Sequence, residues 1–454
     1  MKQLFLYSLI FFCANNNAQV TTPLPTKSQL DWHEMEFYLF THFGPNTFTD
    51  KEWGHGDEPE DIFNPTQLDC KQWCRIAKAA GAKGIIITAK HHDGFCLWPS
   101  KYSTHTVRES KWKEGKGDVL KELSEACRES GLKFGVYISP WDRNHPKYGT
   151  PEYNDVFVNM MEEIFSNYGP IWELWWDGAN GEGPNGKKQV YDWDRFKKTV
   201  ASISPNTVIF SDVGPHIRWV GNEQGIAGRI NWNTLDTAGF TPGAGAPPTD
   251  TLTTGNVNGK NWIPAECDVS IRPGWFYHKE EDNKVKTPEQ LFNLYLKSVG
   301  RGANLLLNVP PDRRGLIHEN DSAALVSFKQ LRDNSFKKDL AAHSKIPPLK
   351  PESKLSSVFK FQNFYMTRVV FTFKQKINCI VLKENIEEGQ AIETFNIETG
   401  KKTVLGETIG HKRIITFPAT DVKEIYIYCG TGKARKPGKL EVEAYLLDEK
   451  LVEK

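Results

Sequence analysis

The chain has 454 residues, which exceeds one ordinary domain and predicts one large domain together with a smaller one. It carries 57 Lys and Arg residues against 56 Asp and Glu, and the net charge of +1 argues against a nucleic-acid partner, which usually requires a basic patch. The 14 tryptophans and 14 tyrosines suit sugar binding but also suit a large aromatic core, so composition leaves both open.

The N-terminus has the pattern of a secretory signal. A lysine follows Met1, an apolar run covers 4–12, and a small-residue site lies near Gln19. We predict a signal peptide over 1–19 and a mature chain that is exported to the periplasm or secreted. The apolar run is too short to span a membrane, and no other stretch is apolar enough. Lipidation of Cys13 is the alternative, but two phenylalanines precede it where a lipoprotein signal needs small residues.

Seven cysteines remain once Cys13 is set aside, and both their odd number and their irregular spacing argue against a regular set of disulfides or metal ligands. Most of them are interpreted as small buried side chains and not as a disulfide framework or a zinc site. These cysteines are Cys70, Cys74, Cys96, Cys127, Cys267, Cys379 and Cys429.

Strands and helices are predicted to alternate from about residue 35 to residue 337. The strands are short apolar runs bounded by turn residues, and the helices have apolar residues at helical spacing. The predicted strands cover 37–44, 84–90, 133–140, 171–177, 207–211, part of 218–237, 262–271 and 303–309. The predicted helices cover 68–82, 118–130, 152–168, 193–203, 288–300 and 318–336. This alternation predicts an α/β fold, a (β/α)8 barrel that spans 20–340.

A doubly wound open sheet is the alternative α/β fold. It would usually carry a glycine-rich phosphate turn after its first strand, and this chain has THFGPN there (41–46). The barrel is therefore favoured, and its active site is expected at the carboxyl ends of the strands.

The chain changes character after the barrel. A polar, proline-containing linker is predicted over 341–352, and 353–454 has short alternating strands without a helical pattern. The strands predicted there cover 368–373, 377–382, 394–397, 413–417, 424–428 and 440–445. We interpret 353–454 as a C-terminal β-sandwich.

The fourth predicted strand (171–178, IWELWWDG) ends in a carboxylate, Asp177. An acid at the carboxyl end of a buried strand, beside Trp175 and Trp176, suggests the nucleophile of a sugar-cleaving enzyme. The alternative is an aspartate that caps the next segment.

Many polar and aromatic residues lie at the carboxyl ends of the predicted strands. Any one of them has an ordinary structural explanation, and Arg272, for example, could pair with a core carboxylate. Their common position favours a site, because active sites of barrels lie at these strand ends. The set is His42, His91, His92, Asp93, Tyr137, Trp141, Asp142, Trp176, Asp177, Asp212, His216, Trp219, Asn222, Glu223, Glu266, Asp268, Arg272, Trp275 and Asn308. Two carboxylates about 5–5.5 Å apart are what a retaining glycoside hydrolase requires.

A metal-dependent hydrolase is the rival on the same fold. It would need a His-x-His pair on the first strand, and only His42 is present there. His91 and His92 are adjacent, so in a regular strand they would point to opposite faces and could not bind one ion together. A metal centre is therefore not expected.

Five motifs resemble those of the α-L-fucosidases of glycoside hydrolase family 29. They are FTHFG (40–44), KHHDGF (90–95), VYISPWD (136–142), WWDG (175–178) and NLLLNVPPD (304–312). The resemblance covers roughly 30–340, and the C-terminal region resembles the galactose-binding-like module that often follows this barrel. It implies that Asp177 is the nucleophile of a retaining mechanism without a metal or organic cofactor. The side chains that it implies around fucose are His42, Trp53, His91, His92, Tyr137, Trp176, Arg272 and Trp275.

The same resemblance offers two candidates for the acid/base. Glu223 lies in VGNEQG (220–225), a stretch like that of the subfamily that prefers α-1,3- and α-1,4-linked fucose, and it is the residue we predict. Glu266, in WIPAECD (262–268), is the competitor and would otherwise position Arg272 or the substrate. The expected substrate is a fucosylated oligosaccharide or glycoconjugate from which terminal fucose is removed. A fucosidase of broad specificity, a barrel glycosidase for another sugar and a sugar-binding protein stay open as alternatives.

Overall fold

The computed structural model describes residues 23–354, 362–400, 402–432 and 435–452. The predicted signal peptide over 1–19, together with Cys13, lies outside these residues. Among the helices of the described ranges, none has both the length and the apolar character needed to cross a membrane.

Eight parallel strands close into a barrel, which confirms the predicted fold class. Each strand is hydrogen-bonded to the next around the ring, and the last returns to the first. The barrel strands are β1 (Phe37–Thr41), β2 (Gly84–Lys90), β3 (Lys133–Ile138), β4 (Glu173–Trp175), β5 (Val208–Ser211), β6 (Ile217–Trp219), β9 (Ala265–Ser270) and β10 (Asn304–Asn308). A separate antiparallel pair, β7 (Thr234–Leu235) and β8 (Asn261–Trp262), lies between β6 and β9 in the chain. The predicted strand 262–271 therefore begins only at Ala265, because Trp262 pairs with Thr234.

Helices cover most of the connections between the barrel strands. Three of them begin at an aspartate whose side chain accepts a backbone N–H from the first turn, namely Asp69, Asp118 and Asp192. The helices are α1 (Lys27–His33), α2 (Pro45–Thr49), α3 (Cys70–Ala79), α4 (Val119–Ser130), α5 (Tyr153–Tyr168), α6 (Trp193–Ile203), α7 (Thr249–Thr254), α8 (Pro288–Lys297) and α9 (Glu319–Ser335). Residues 212–216 connect β5 to β6 without a helix.

The interior of the barrel is filled with side chains, so it is a core and not a pore. Alternate residues of each strand point inward. The interior cluster consists of Trp32, Met35, Tyr38, Phe40, Ile86, Tyr137, Trp175, Val208, Phe210, Ile217 and Leu306. A second cluster, between the strands and the helices, contains Trp73, Leu123, Phe157, Trp176 and Phe196 among others. Because the interior is filled, the active site is expected at the carboxyl rim of the barrel.

Two strands of the C-terminal β-sandwich are longer than predicted. The predicted strands 368–373 and 377–382 are two parts of β12 (Gln362–Glu384), and 413–417 and 424–428 are two parts of β15 (Arg413–Gly432). The polar stretch 374–376 breaks the apolar pattern, and the ladder continues past it after a shift in register between Val370 and Gln375. The other strands are β11 (Lys350–Pro351), β13 (Ile392–Glu398), β14 (Thr403–Gly406) and β16 (Leu440–Tyr445).

The sandwich packs directly against the barrel. Cys379, Val381 and Tyr445 belong to the barrel's outer core cluster, and the rings of Tyr445 and Phe336 are 5.1 Å apart. The predicted linker contributes to the core of the sandwich, where Ala341 is buried. All seven cysteines of the described residues are buried thiols, as expected.

Candidate active site

A pocket opens at the carboxyl ends of the barrel strands, where the site was predicted. Its volume of about 170 Å³ is small beside the roughly 300–1,000 Å³ of pockets that hold drug-sized ligands. Such a cavity suits a single small polar ligand. The lining residues are Phe40, His42, Glu52, Trp53, His91, His92, Tyr137, Trp175, Asp177, Ala179, Glu223, Asp268 and Trp275.

Asp177 lines this pocket and is held in place by hydrogen bonds. Its Oδ1 accepts the backbone N–H of Ala179 at 2.7 Å, and its Oδ2 accepts the hydroxyl of Tyr137 at 3.1 Å. Nε2 of His92 lies 3.8 Å from the same Oδ2, and a quarter of the aspartate side chain is exposed. A Cβ at Gly178 would lie 2.7 Å from a carboxylate oxygen of Asp212, so a larger residue there would displace that side chain. The carboxylate is therefore fixed in orientation while one side faces the pocket.

Three histidines line the pocket as uncharged groups. Burial lowers the pKa of His42 to about 3 and that of His92 to about 4, and it lowers the pKa of His91 well below the usual value. Nδ1 of His42 is 2.9 Å from Oδ1 of Asn308, and Nδ1 of His92 is 2.8 Å from the hydroxyl of Ser139. Neutral, oriented imidazoles of this kind exchange hydrogen bonds with hydroxyl groups.

The expectation that His91 and His92 point to opposite faces is wrong. Both follow the end of β2 at Lys90, so strand alternation no longer applies to them. Their ring centroids are 4.2 Å apart, and both rings face the pocket. Across the described ranges, no group of three or more His, Cys, Asp or Glu side chains is arranged to hold a metal ion.

Glu223 brings a second carboxylate to the pocket. It lies on the loop after β6, is exposed to solvent, and accepts the indole N–H of Trp275 at 3.4 Å. Trp53 also lines the mouth of the pocket and is 54% exposed, which leaves its ring free to contact a ligand. Asp177 and Glu223, the two predicted catalytic residues, therefore line the same cavity.

Two further carboxyl groups line the pocket: Glu52 was not predicted as a site residue, and Asp268 was placed among the strand-end residues without an assigned role. Glu52 accepts the backbone N–H groups of Trp275 at 2.8 Å and Phe276 at 3.1 Å, so it joins two loops at the rim. It lies in a loop, and no periodic pattern marks it. Asp268 points inward from β9, and its Oδ1 accepts the indole N–H of Trp219 at 2.9 Å. Burial, with Glu223 nearby, raises the pKa of Asp268 well above its usual value. Strand alternation marks Asp268 as an inward residue.

The prediction that Trp176 contacts the substrate is wrong. Its side chain is 1% exposed and packs outside the barrel against Trp193 at 5.4 Å and Phe196 at 6.3 Å between ring centroids. Trp175, its neighbour, points inward and lines the pocket. Successive residues of a strand point to opposite faces, so only one of the two tryptophans can reach the site.

The prediction that Arg272 lines the pocket is also wrong. Its buried guanidinium group pairs with Asp321 at 2.9 Å and with Asp282 at 3.0 Å, and it stacks on Tyr277 at 4.9 Å. Asp321 comes from α9, so the pairing ties the loop after β9 to a helix. Arg272 therefore holds the wall behind the pocket and does not reach its interior.

Replacing Arg272 with methionine is expected to lower the free energy of unfolding by about 3 kcal/mol, because a buried carboxylate loses its partner. Urea titration measures this loss. Arg195→Met is the matched control, since Arg195 pairs with Asp155 at 2.5 Å on the exposed surface and should contribute less than about 1 kcal/mol. Equal losses in the two variants, or a raised KM in a fully stable Arg272→Met enzyme, would contradict this assignment.

Glu266 does not reach the pocket either, which corrects its prediction as a substrate-binding residue. Its side chain is completely buried below Trp175, whose indole N–H it accepts at 2.9 Å. It also accepts the hydroxyl of Tyr38 and makes no hydrogen bond to Arg272. A carboxyl group in this place cannot protonate a leaving group in the pocket.

Comparison of the sequence with known proteins shows which family it matches. The sequence model described as alpha-L-fucosidase matches residues 21–330. Alpha-L-fucosidase 1 of Arabidopsis thaliana is 40% identical over 420 residues, which cover 87% of this chain and 82% of that protein.

Two solved structures extend the comparison to the fold. A glycoside hydrolase 29 family member from an unknown rumen bacterium has a TM-score of 0.84 and 39% identity, covering 94% of this chain and 78% of the other. The Ruminococcus gnavus glycoside hydrolase 29 fucosidase in complex with fucose has a TM-score of 0.82 and 29% identity, covering 95% and 96%. The barrel, its pocket and these relatives agree, and the chain belongs to the α-L-fucosidases of glycoside hydrolase family 29.

Proposed function

We propose that the protein is a retaining exo-α-L-fucosidase that removes terminal α-1,3- and α-1,4-linked fucose from branched glycans. The observation that carries the proposal is the pair of carboxylates, Asp177 and Glu223, in one small pocket. Asp177 is oriented by two hydrogen bonds, as a nucleophile must be, and Glu223 reaches solvent, as a proton donor and acceptor must.

The pocket is suited to a single deoxyhexose. Phe40, Trp175 and Trp275 supply apolar surface for the C–H faces and the methyl group of fucose. The neutral rings of His42 and His91 supply hydrogen-bond partners for hydroxyl groups, and their lack of charge leaves the negative charge of Asp177 available to the reaction. The Ruminococcus gnavus relative in complex with fucose supports this choice of sugar.

In the first step, Asp177 attacks the anomeric carbon of fucose while Glu223 gives a proton to the departing glycosidic oxygen. The C–O bond to the leaving sugar breaks as the C–O bond to Asp177 forms, so a covalent fucosyl-enzyme results. In the second step, Glu223 takes a proton from water, whose oxygen displaces Asp177 at the anomeric carbon. Two displacements return the original anomeric configuration, and free fucose leaves.

The preference for α-1,3 and α-1,4 linkages is supported by the stretch around Glu223, VGNEQG (220–225), which resembles that of the subfamily with this preference. Glu223 lies in the loop 220–225 at the open side of the pocket, where the leaving sugar must emerge. The rim beside it carries the exposed ring of Trp53, which offers a surface to a second sugar. A branched acceptor would then be held on both sides of the scissile bond.

Paired oligosaccharides test the linkage preference directly. We expect release of fucose from a branched α-1,3/1,4 trisaccharide at least about tenfold faster than from an α-1,2-linked trisaccharide, measured as kcat/KM for free fucose. An aryl fucoside, cleaved without any second sugar, is the control for an intact nucleophile. Equal rates on both oligosaccharides would favour a fucosidase of broad specificity, and faster cleavage of the α-1,2 linkage would overturn the proposed preference.

A further inference from the structure

Two carboxyl groups lie next to each other inside the barrel, one layer below the pocket. Glu173 begins β4 and Glu266 lies on β9, and neither side chain is exposed at all. The indole N–H of Trp32 donates to Oε2 of Glu173 at 3.1 Å. Within the described ranges, the groups that act on these two carboxyl groups include no lysine, arginine or histidine. Buried acids are costly unless they are paired, so this pair needs an explanation.

Two adjacent buried carboxyl groups without a cation retain one proton between them, and the surrounding hydrogen-bond donors decide which group carries it. Glu266 accepts the hydroxyl of Tyr38 and the indole N–H of Trp175, whereas Glu173 accepts only from Trp32. Oε1 of Glu173 accepts no hydrogen bond, so it is the atom that can carry a hydrogen towards Glu266. Glu266 is thus the ionised member and Glu173 the protonated one.

The electrostatics of the site agree with this assignment. Burial raises the pKa of Glu173 well above its usual value, and the charge of Glu266 raises it further. Burial raises the pKa of Glu266 to about 7, while hydrogen bonds from Tyr38 and Trp175 oppose that rise. Asp268 is the other acidic group that faces the pair, and its pKa is also raised. Two adjacent carboxyl groups cannot both be ionised in such an environment.

A chain of contacts runs from Glu266 to the nucleophile. Its carboxylate holds the indole of Trp175, whose ring stacks on Tyr137 at 5.2 Å between centroids and an interplanar angle of 26°. On its other side, Trp175 stacks on Phe210 at 4.0 Å. Tyr137 in turn donates its hydroxyl to Asp177. Trp175 also forms part of the pocket wall, so the orientation of its ring affects both the sugar and the nucleophile.

We propose that Glu266 is a positioning residue for the fucosidase reaction: its carboxylate, hydrogen-bonded by the acid form of Glu173, fixes Trp175 and thereby Tyr137 and Asp177. The inference rests on the proposed function, because it assumes that Asp177 is the nucleophile. Glu173 serves as a permanent hydrogen-bond donor to Glu266. Glu173 and Glu266 therefore have unequal roles, although both are buried glutamates that lie side by side in the barrel.

Matched amide substitutions separate these roles. In Glu173→Gln, the amide N–H replaces the acid O–H as the donor to Glu266, and kcat and KM should stay within about threefold of the parent values. In Glu266→Gln, one acceptor oxygen faces the donors Tyr38, Trp175 and Glu173, so at least one of these hydrogen bonds is lost. We expect kcat to fall at least about tenfold there, while the Tm values of the two variants remain similar.

The formation of the covalent intermediate is the sharpest readout. 2-Deoxy-2-fluorofucosyl fluoride, whose fluorine slows hydrolysis of the intermediate, should label Asp177, and mass spectrometry gives the labelling rate. That rate should fall at least about tenfold in Glu266→Gln and stay close to the parent rate in Glu173→Gln. If the two residues contribute only to stability, the labelling rate per folded molecule should be the same in both variants. Equal labelling rates, or a slower rate in Glu173→Gln than in Glu266→Gln, would overturn the proposal.

A second variant covers the case in which Glu266→Gln does not fold. Trp175→Phe removes the same hydrogen bond from the other side and leaves Glu266 unchanged, and it should slow labelling by a similar factor. A parent-like labelling rate in Trp175→Phe would overturn the inference. If the reagent labels no residue of the parent enzyme, the proposed function fails and this inference with it. If Asp177 is labelled and both amide variants react alike, only this inference fails.

Discussion

Replacing Asp177 with asparagine is expected to abolish the hydrolysis of fucosides, with a fall in kcat of at least about 10⁴-fold, or about 5.5 kcal/mol of activation free energy. An amide cannot attack the anomeric carbon, but its oxygen can still accept the backbone N–H of Ala179. The fold should therefore persist. Measuring kcat on an aryl fucoside together with the Tm checks both statements, and Asp177→Ala guards against slow deamidation of the asparagine.

A neighbouring carboxylate provides the control for Asp177. Asp212 follows the next barrel strand and accepts the backbone N–H of Gly243 at 3.3 Å, but it does not line the pocket. Asp212→Asn removes one charge from the same rim and should keep kcat within about tenfold of the parent value. Activity of Asp177→Asn within a few-fold of the parent would refute the nucleophile assignment.

Replacing Glu223 with alanine is expected to have an effect that depends on the leaving group. On an oligosaccharide, whose leaving sugar needs a proton, kcat/KM should fall about 10³–10⁴-fold. On an activated aryl fucoside the first step needs no acid, so the fucosyl-enzyme still forms and its hydrolysis becomes slow. Azide, which needs no general base, should then restore turnover.

The configuration of the azide product distinguishes the two catalytic residues. In Glu223→Ala, azide displaces Asp177 after one earlier displacement, so the product is an α-fucosyl azide. In Asp177→Ala, azide displaces the leaving group directly, and any product is the β anomer. Glu266→Ala should give no azide product, because this side chain is buried below Trp175. An azide product from Glu266→Ala and none from Glu223→Ala would reverse the assignment of the acid/base.

Most of the barrel was predictable because its strands and helices are marked by apolar patterns within short stretches of the sequence. The strand 84–90 and the helix 193–203 were predicted to the residue. The predicted ends of strands were less accurate where a hydrophobic run continues into a loop. The run 171–177 forms a strand only over Glu173–Trp175, since its hydrogen-bonded pairing with β3 stops at Trp175. In the sandwich, β12 was predicted as two separate strands, because a polar stretch interrupts the apolar pattern without interrupting the strand itself.

The pocket was predictable in part. Strand-end motifs placed Asp177, Glu223 and the three pocket histidines at one rim, and the structure brings these side chains together. Trp176, Arg272 and Glu266 come from equally good motifs but lie outside the pocket. Glu52, which lines the pocket, was missed because a loop carboxylate has no periodic pattern to mark it.

By itself, then, the sequence determined the alternation of strands and helices and the chemical types available at the barrel rim. Only the tertiary structure decided which of these groups face the ligand. Arg272 is held by Asp321, 49 positions later in the chain, and Glu266 by Trp175, 91 positions earlier. The reason is physical: a buried charged or polar group must find a partner, and that partner comes from a distant segment which local patterns do not specify.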